Sequence, residues 1–149
     1  MRILRLSDSM ADEVWTLFYN SVHTLCRGEY TPEQLDAWAP ADTDPHAWIE
    51  PMLDTYAIVA VEGEAIVGFG NIYPGRGYVD RLYVSPSVAG HGIGRTILTT
   101  LESQAECALS VHVSDTAKGF FLHSGYMTVR ENIVERRGVV LRNWLMEKP

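Results

Sequence analysis

Hydrophobic and polar positions alternate over Arg2 to Leu6, which predicts a half-buried strand. Ala11, Val14, Trp15, Phe18, Val22 and Leu25 then mark one face of a helix, which Gly28 is expected to end as a C-terminal glycine does. Thr31-Pro32-Glu33-Gln34 is a capping box with proline at the first helical position, opening a short helix that carries Leu35 and Trp38 and stops at Ala39-Pro40. Asp44-Pro45 opens another, with Trp48, Ile49, Met52 and Leu53 inward. Tyr56 to Val61 is a continuous apolar run and predicts a buried strand, turned at Glu62-Gly63-Glu64 so that Ala65 to Tyr73 returns as its hairpin partner. Pro74-Gly75-Arg76-Gly77 is the next turn, and Val79, Leu82, Tyr83 and Val84 supply the β-prone bulk of a strand that Pro86 ends. Ile93, Ile97, Leu98, Leu101 and Ala105 recur at helical spacing. Cys107 to Val113 reads as a strand, and Ser114 as the cap of a helix with Ala117, Phe120 and Phe121 that ends at Gly125. Tyr126 to Val134 and Val139 to Met146 form a last hairpin, turned near Arg137-Gly138.

Composition narrows the picture. The chain of 149 residues is 46% hydrophobic, so one domain over residues 1–149 with a real core is expected. No run approaches the roughly 20 apolar residues of a membrane span, and the N-terminus is too short for the apolar core of a signal peptide, so a cytoplasmic protein with no membrane partner is expected. A net charge of −7 argues against nucleic acid and is compatible with a cationic amine substrate. Cys26, near a helix end, and Cys107, in a strand, read as thiols; no metal-ligand spacing is present, so no metal is expected.

The chemistry concentrates where the strand ending at Val84 meets the helix starting at Ile93. Strand, glycine turn, helix places unpaired backbone N–H groups at a helix N-terminus, an anion site. Glycine also lets the backbone approach an anion without a Cβ in the way. A P-loop is excluded because no lysine follows Gly94, and a dinucleotide fingerprint because the spacing is G-x-G-x-G. Val84-Ser85-Pro86-Ser87-Val88-Ala89-Gly90-His91-Gly92-Ile93-Gly94 instead resembles motif A of the GNAT (GCN5-related N-acetyltransferase) family, which binds the pyrophosphate of coenzyme A.

That resemblance implies a fold and a site. The fold would be α/β (α+β), the GNAT fold, with a mixed central sheet of about seven strands, splayed central strands and flanking helices. Acetyl-CoA would be held by Leu82, Val84, Ala89, Gly90, His91, Gly92, Ile93, Gly94 and Arg95, with His91 and Arg95 standing at the phosphate-binding helix start. The usual Arg or Gln of the motif is Ala89, which implies weaker cofactor binding carried by backbone donors. Ser114 to Tyr126 resembles motif B: Ser114 replaces an asparagine that bonds the pantetheine arm, Phe120 reads as core, and Phe121, which packs either against the cofactor or in the core, stands where many members carry a tyrosine that protonates the departing thiolate. Ser21-Val22-His23 and Tyr30 to Pro40 are similar to a subgroup of small bacterial GNAT proteins.

The implied reaction is direct attack of an amine on acetyl-CoA, with a small-molecule or peptide amine as acceptor and a monomer or homodimer as the enzyme. His23, His112 and Asp80 are the candidate bases, since a base of near-neutral pKa works best. The N–H near Leu82 would bond the thioester oxygen. Tyr83, then Tyr78 and Tyr30, are candidate acids in place of the missing phenol, although strand alternation leaves open whether Leu82 or Tyr83 faces the thioester. Trp15, Phe18, Trp38 and Trp48 read as core rather than acceptor box. A non-catalytic acetyl-CoA-binding sensor or interaction module is the alternative, kept open by Ala89 and Phe121.

Overall fold

The computed structural model describes all residues from Met1 to Pro149. Seven strands form one mixed sheet in the order β1-β2-β3-β4-β5-β7-β6. They are β1 (Arg2–Arg5), β2 (Tyr56–Glu62), β3 (Ala65–Tyr73), β4 (Tyr78–Val84), β5 (Leu109–Val113), β6 (Met127–Arg136) and β7 (Val139–Lys148). Five α-helices flank them: α1 (Ala11–Leu25), α2 (Pro32–Trp38), α3 (Pro45–Ile49), α4 (Ile93–Glu102) and α5 (Lys118–His123). Every neighbouring pair is antiparallel except β4 and β5, which run parallel.

The apolar alternation of the strands sorts the core into two layers. Ala57, Val59, Val61 and Phe69 pack with Val14, Trp15, Phe18 and Val22 of α1 and with Leu35 and Ile49. On the other face Ile58, Ala60, Ile72, Val79 and Val111 pack with Ile93, Ile97, Leu98 and Leu101 of α4. No helix is long and apolar enough to cross a membrane.

The parallel pair is short. β4 and β5 pair only at Tyr78 with Ser110 and Val79 with Val111, and the strands diverge beyond. The turn before β4 fixes this junction. The Pro74 carbonyl accepts from the amides of Gly77 (3.2 Å) and Glu106 (3.0 Å), and the Gly77 carbonyl from Ser110 (2.9 Å). Gly77 itself sits at φ +60°, and a Cβ there would collide with the Ala108 carbonyl oxygen, so only glycine fits.

One irregularity in β4 decides what its side chains face. Asn71 of β3 lies opposite Arg81 and Ile72 opposite Val79, so Asp80 is an extra residue, a β-bulge. The bulge shifts the alternation by one. Val79, Leu82 and Val84 turn toward α4, while Tyr78, Asp80, Arg81 and Tyr83 share the opposite face.

Several expectations hold locally and several are corrected. The capping box is formed: Thr31 Oγ1 accepts from the Gln34 amide (3.1 Å) and Gln34 Oε1 from the Thr31 amide (2.9 Å). The last hairpin turns on Arg137 (φ 51°) and Gly138 (φ 76°), the two left-handed residues of a tight hairpin loop. Gly28 does not cap α1; the helix closes on Cys26, whose amide bonds Val22 O at 3.2 Å, and Gly28 lies in the following turn. Both thiols are free, but Cys107 is outside β5 and exposed, with Sγ 3.6 Å from the Gly75 carbonyl. Helix α4 stops at Glu102, short of Ala105. Ser114 Oγ accepts from the Ala117 amide (3.1 Å), so it caps a turn, and α5 begins later at Lys118.

Gly77→Ala is expected to lower the free energy of unfolding by about 2 kcal/mol in a denaturant titration, the scale of a strained backbone or an overpacked site. Gly75→Ala, two residues earlier in open space at ordinary φ, should stay within about 0.5 kcal/mol.

Candidate functional site

The gap between β4 and β5 is bordered at its open end by the glycine loop and on one face by a cavity. The Ser85 amide bonds Val67 O of β3 at 2.8 Å. Strand amides alternate in direction, so those of Val84 and Leu82 point to the other edge, into the gap. Beyond β4 the chain makes a single helical turn over Pro86–Val88 and enters α4 through Gly90 (φ 84°) and Gly92 (φ 81°). The amides of Gly90, Gly92, Ile93, Gly94 and Arg95 bond no carbonyl of the chain, whereas that of His91 donates to Val88 O at 3.1 Å and that of Thr96 to Gly92 O at 3.2 Å. Nothing lies within 4 Å of a Cβ position on Gly90 or Gly92. Open amides, a helix start and the exposed side chains of His91 and Arg95 fit a pyrophosphate. Ala89 is exposed at the rim of this loop.

Motif B sends Phe121 into the core and Phe120, expected there, to the glycine loop. Phe121 is 3% exposed, edge-on to Phe120 (5.2 Å) and Tyr126 (5.2 Å) in the α4 layer of the core. Phe120 reaches the glycine loop instead, 3.6 Å from a Cβ position on Gly94, with Val84 3.7 Å away on the same side. Phe121 therefore offers neither a ligand contact nor a place for a phenol facing the gap.

On the α1–α3 face a cavity of about 600 Å3 opens beside the gap. Its walls include Phe18, Trp38 and Trp48 from the helices, Tyr78, Asp80, Arg81 and Tyr83 from β4, His112 and Ser114 at the end of β5, and Asn132 and Arg142 from the last hairpin. Phe18 meets Tyr83 edge-on at 4.8 Å and Trp48 at 5.0 Å, so these aromatics are both core and cavity wall; Trp15 stays behind them.

The candidate acids and bases fall into separate places. Asp80 Oδ2 accepts from Asn71 Nδ2 at 3.0 Å, and the same amide donates to Thr55 Oγ1 at 3.1 Å, which in turn donates to Met52 O at 2.7 Å. His112 Nδ1 and the Tyr78 hydroxyl share a hydrogen bond of 2.9 Å. Burial, with the Arg130 charge, holds the His112 imidazole below its ordinary range, and burial raises the Tyr78 phenol. Burial pushes the Tyr83 phenol far up, against the smaller effects of Arg81 and the Trp38 indole. His23 stands apart. Its Nε2–H donates to Ala39 O at 2.9 Å, its ring stacks on Tyr19 at 4.1 Å, and it is absent from the cavity wall; it latches α1 to α2. Tyr30 is fully committed, donating to Arg142 O (2.9 Å) and accepting from the Asp115 amide (2.9 Å).

Sequence reasoning missed Asn71, Arg81 and the group around Asp115. Asp115 accepts from Arg142 Nη2 (2.6 Å) and Nε (3.3 Å) and from Trp144 Nε1 (2.7 Å), bracing the turn that begins at Ser114. Nothing in the spacing of these residues announces that they meet, although a polar Asn71 inside the apolar β3 run was a signal.

A sheet opened between parallel central strands, with free amides at the mouth, suits an anionic group such as a phosphate. The comparisons give the family. The model of the acetyltransferase (GNAT) domain matches residues 26–148. An uncharacterized N-acetyltransferase of Escherichia coli K12, YafP, is 32% identical over 134 residues, covering 90% of this chain and 86% of that protein. The crystal structure of a GCN5-related N-acetyltransferase from Rhodopseudomonas palustris superposes with a TM-score of 0.93 at 29% identity, over 99% of this chain and 94% of that one. The PaiA N-acetyltransferase of Thermoplasma acidophilum, solved in complex with coenzyme A, shares the fold at TM-score 0.72 and 17% identity, over 99% and 97% of the two chains. The chain belongs to the GNAT acetyltransferase family, and its activity is acyl-CoA-dependent N-acetyl transfer.

Burial works to raise the Asp115 carboxyl, but the hydrogen bonds from Arg142 and Trp144 and the nearby charges outweigh it and hold the group below its ordinary range. A depressed folded-state value stabilises the fold above the unfolded-state pKa, and the benefit is lost as pH falls through the folded value. Urea titrations at neutral pH and near pH 3 should therefore show a larger acid loss for the wild type than for Asp115→Asn, whose stability is already reduced at neutral pH.

Proposed function

We propose that residues 1–149 act as one domain that acetylates a small-molecule or peptide amine in the cytoplasm by direct attack, the acceptor entering the aromatic cavity. The observation that carries this reading is the Asp80 bulge: it turns Asp80 and Tyr83 to the cavity together while leaving the Leu82 and Val84 amides toward the gap. Acetyl-CoA supplies, when bound, a thioester carbonyl and a thiol leaving group. In this reading the open amides of Gly90 and of Gly92 to Arg95 hold the pyrophosphate, with the His91 and Arg95 side chains beside them, and Ser114 and Phe120 flank the pantetheine arm.

The Leu82 amide then bonds the oxygen that gains charge, a preorganised donor that needs no rearrangement. An ammonium cannot attack, so the site must take its proton. Asp80 holds the incoming ammonium, with Asn71 fixing one carboxylate oxygen and leaving the other available. His112, kept neutral by its burial, accepts the proton, and Tyr78 orients the ring. Tyr83 is a weak acid for the leaving thiolate because burial strengthens its hold on its own proton. A thiol of pKa roughly 8.5 leaves without a strong acid, which accommodates the core placement of Phe121. The sensor reading loses its motive there, because the absent phenol would have no access to the gap.

Gly92→Val places a branched residue at φ 81°, a strain on the order of 1–3 kcal/mol, and should weaken acetyl-CoA binding in calorimetry at least about tenfold. Unchanged affinity would remove the glycine loop from the reading.

His112→Gln should lower kcat/KM about 100-fold, the usual scale of a positioned base. In the wild type the acid limb of the kcat/KM profile should fall below the ordinary histidine value of about 6.5, in line with the lowered His112, and the variant should lose that limb. A profile that keeps it assigns the proton to another group.

A further inference from the structure

The cavity has a charge character opposite to that of the chain. The chain carries a net charge of −7. The cavity wall holds Arg81, Arg136 and Arg142 against one carboxylate, Asp80. Arg142 is already occupied by Asp115 at 2.6 Å and Glu131 at 3.7 Å. Arg136 is exposed at the end of the last hairpin.

Arg81 differs from both. The bulge brings it onto the cavity face, where its guanidinium lies over the Trp48 ring at 4.9 Å. It makes no ion pair, its neighbour Asp80 being held by Asn71 instead. Its Nη1 is buried with no hydrogen-bond partner. A guanidinium stays charged, so this is an unbonded donor of a permanent cation. Buried polar atoms are almost always bonded, and those that are not ask for an explanation. Only two buried side-chain polar atoms lack partners, Arg81 Nη1 and Asn71 Oδ1. They belong to residues directly opposite each other across β3 and β4. The unmet hydrogen bonding of the buried side chains is thus gathered at one cross-strand pair beside the cavity.

We propose that Arg81 recognises an anionic group, a carboxylate or a phosphate, on the acceptor, so that the substrate class is an amine that carries its own anion. The proposal rests on the acetyltransferase reading of the cavity. A planar fork of N–H donors suits either anion and bonds it in charge-assisted fashion. Asp80 and His112 stand on the same cavity for the ammonium end, and Phe18, Trp38 and Trp48 offer apolar surface to the body between. A net charge of −7 is compatible with a cationic amine, and the local lining narrows that amine to one that also carries an anion.

The test is thiol release from acetyl-CoA with four matched probes: phenylalanine, its phosphonate analogue, phenylalaninamide and phenethylamine. The carboxylate or the phosphonate probe should exceed the two uncharged-tail amines in kcat/KM by about tenfold or more, and the better of the two identifies the anion. Arg81→Gln should erase that difference through KM, and Arg81→Lys, which keeps the charge and loses the fork, should restore part of it. A preference for phenylalaninamide or phenethylamine, or an anion preference that survives both variants, overturns the proposal. If no probe releases thiol, the acetylation reading fails for this amine class, and Arg81 is judged separately by melting temperature: benzoate or phenylphosphonate should raise that of the wild type and not that of Arg81→Gln. No rise in the wild type overturns the proposal.

Discussion

Two residue pairs hold the central strands together. Tyr78 with Ser110 and Val79 with Val111 are all the pairing that β4 and β5 have. Had the ladder continued, the amides of Leu82 and Val84 would meet carbonyls of β5 and the sheet would be closed. Because it stops, a row of backbone donors is left facing a gap, and the rest of the site is arranged around them. The turn at Gly77 holds the closed end, and the last hairpin, paired along the far side of β5, supplies the outer wall.

The bulge at Asp80 is the second determinant. In a regular strand, Asp80 and Leu82 would share one face, and Arg81 and Tyr83 the other. The extra residue instead gives one face the acid, the cation and the phenol, and gives α4 the apolar Leu82 and Val84. The apolar layer under α4 thus stays dry while polar side chains collect beside α1 to α3. Asn71, completely buried opposite the bulge, is tolerated in an apolar strand because Asp80 and Thr55 bond its amide.

Much of the frame was legible because it rests on short-range rules. The capping box at Thr31, the proline starts of α2 and α3, and the tight turn at Arg137-Gly138 each follow from local backbone chemistry. The glycine loop was legible for the same reason, since its amides and its conformation belong to one segment. What could not be read depends on register. A bulge moves every later side chain to the other face without changing composition, so the side presented by Tyr83 was undetermined and Arg81 passed as one charge among many. His23 looked suitable by type and lies outside the cavity because Ala39 O captures its ring. Which of Phe120 and Phe121 faces the loop was not legible because one residue of helix rotation, about 100°, decides it.

Tyr30 links segments that are far apart in the chain. Its ring packs on Trp38 at 5.4 Å, while its hydroxyl joins the Asp115 amide after β5 and the Arg142 carbonyl in β7. One phenol therefore ties the helical wall of the cavity to the strands on the far side of the gap. Opening the cleft like a hinge would break both hydrogen bonds of a partly desolvated group at once. The two lips are braced by contacts of the chain itself, so the entropy of ordering them is spent during folding. An acceptor held in the proposed cavity would be chosen by its fit to a wall braced from both sides.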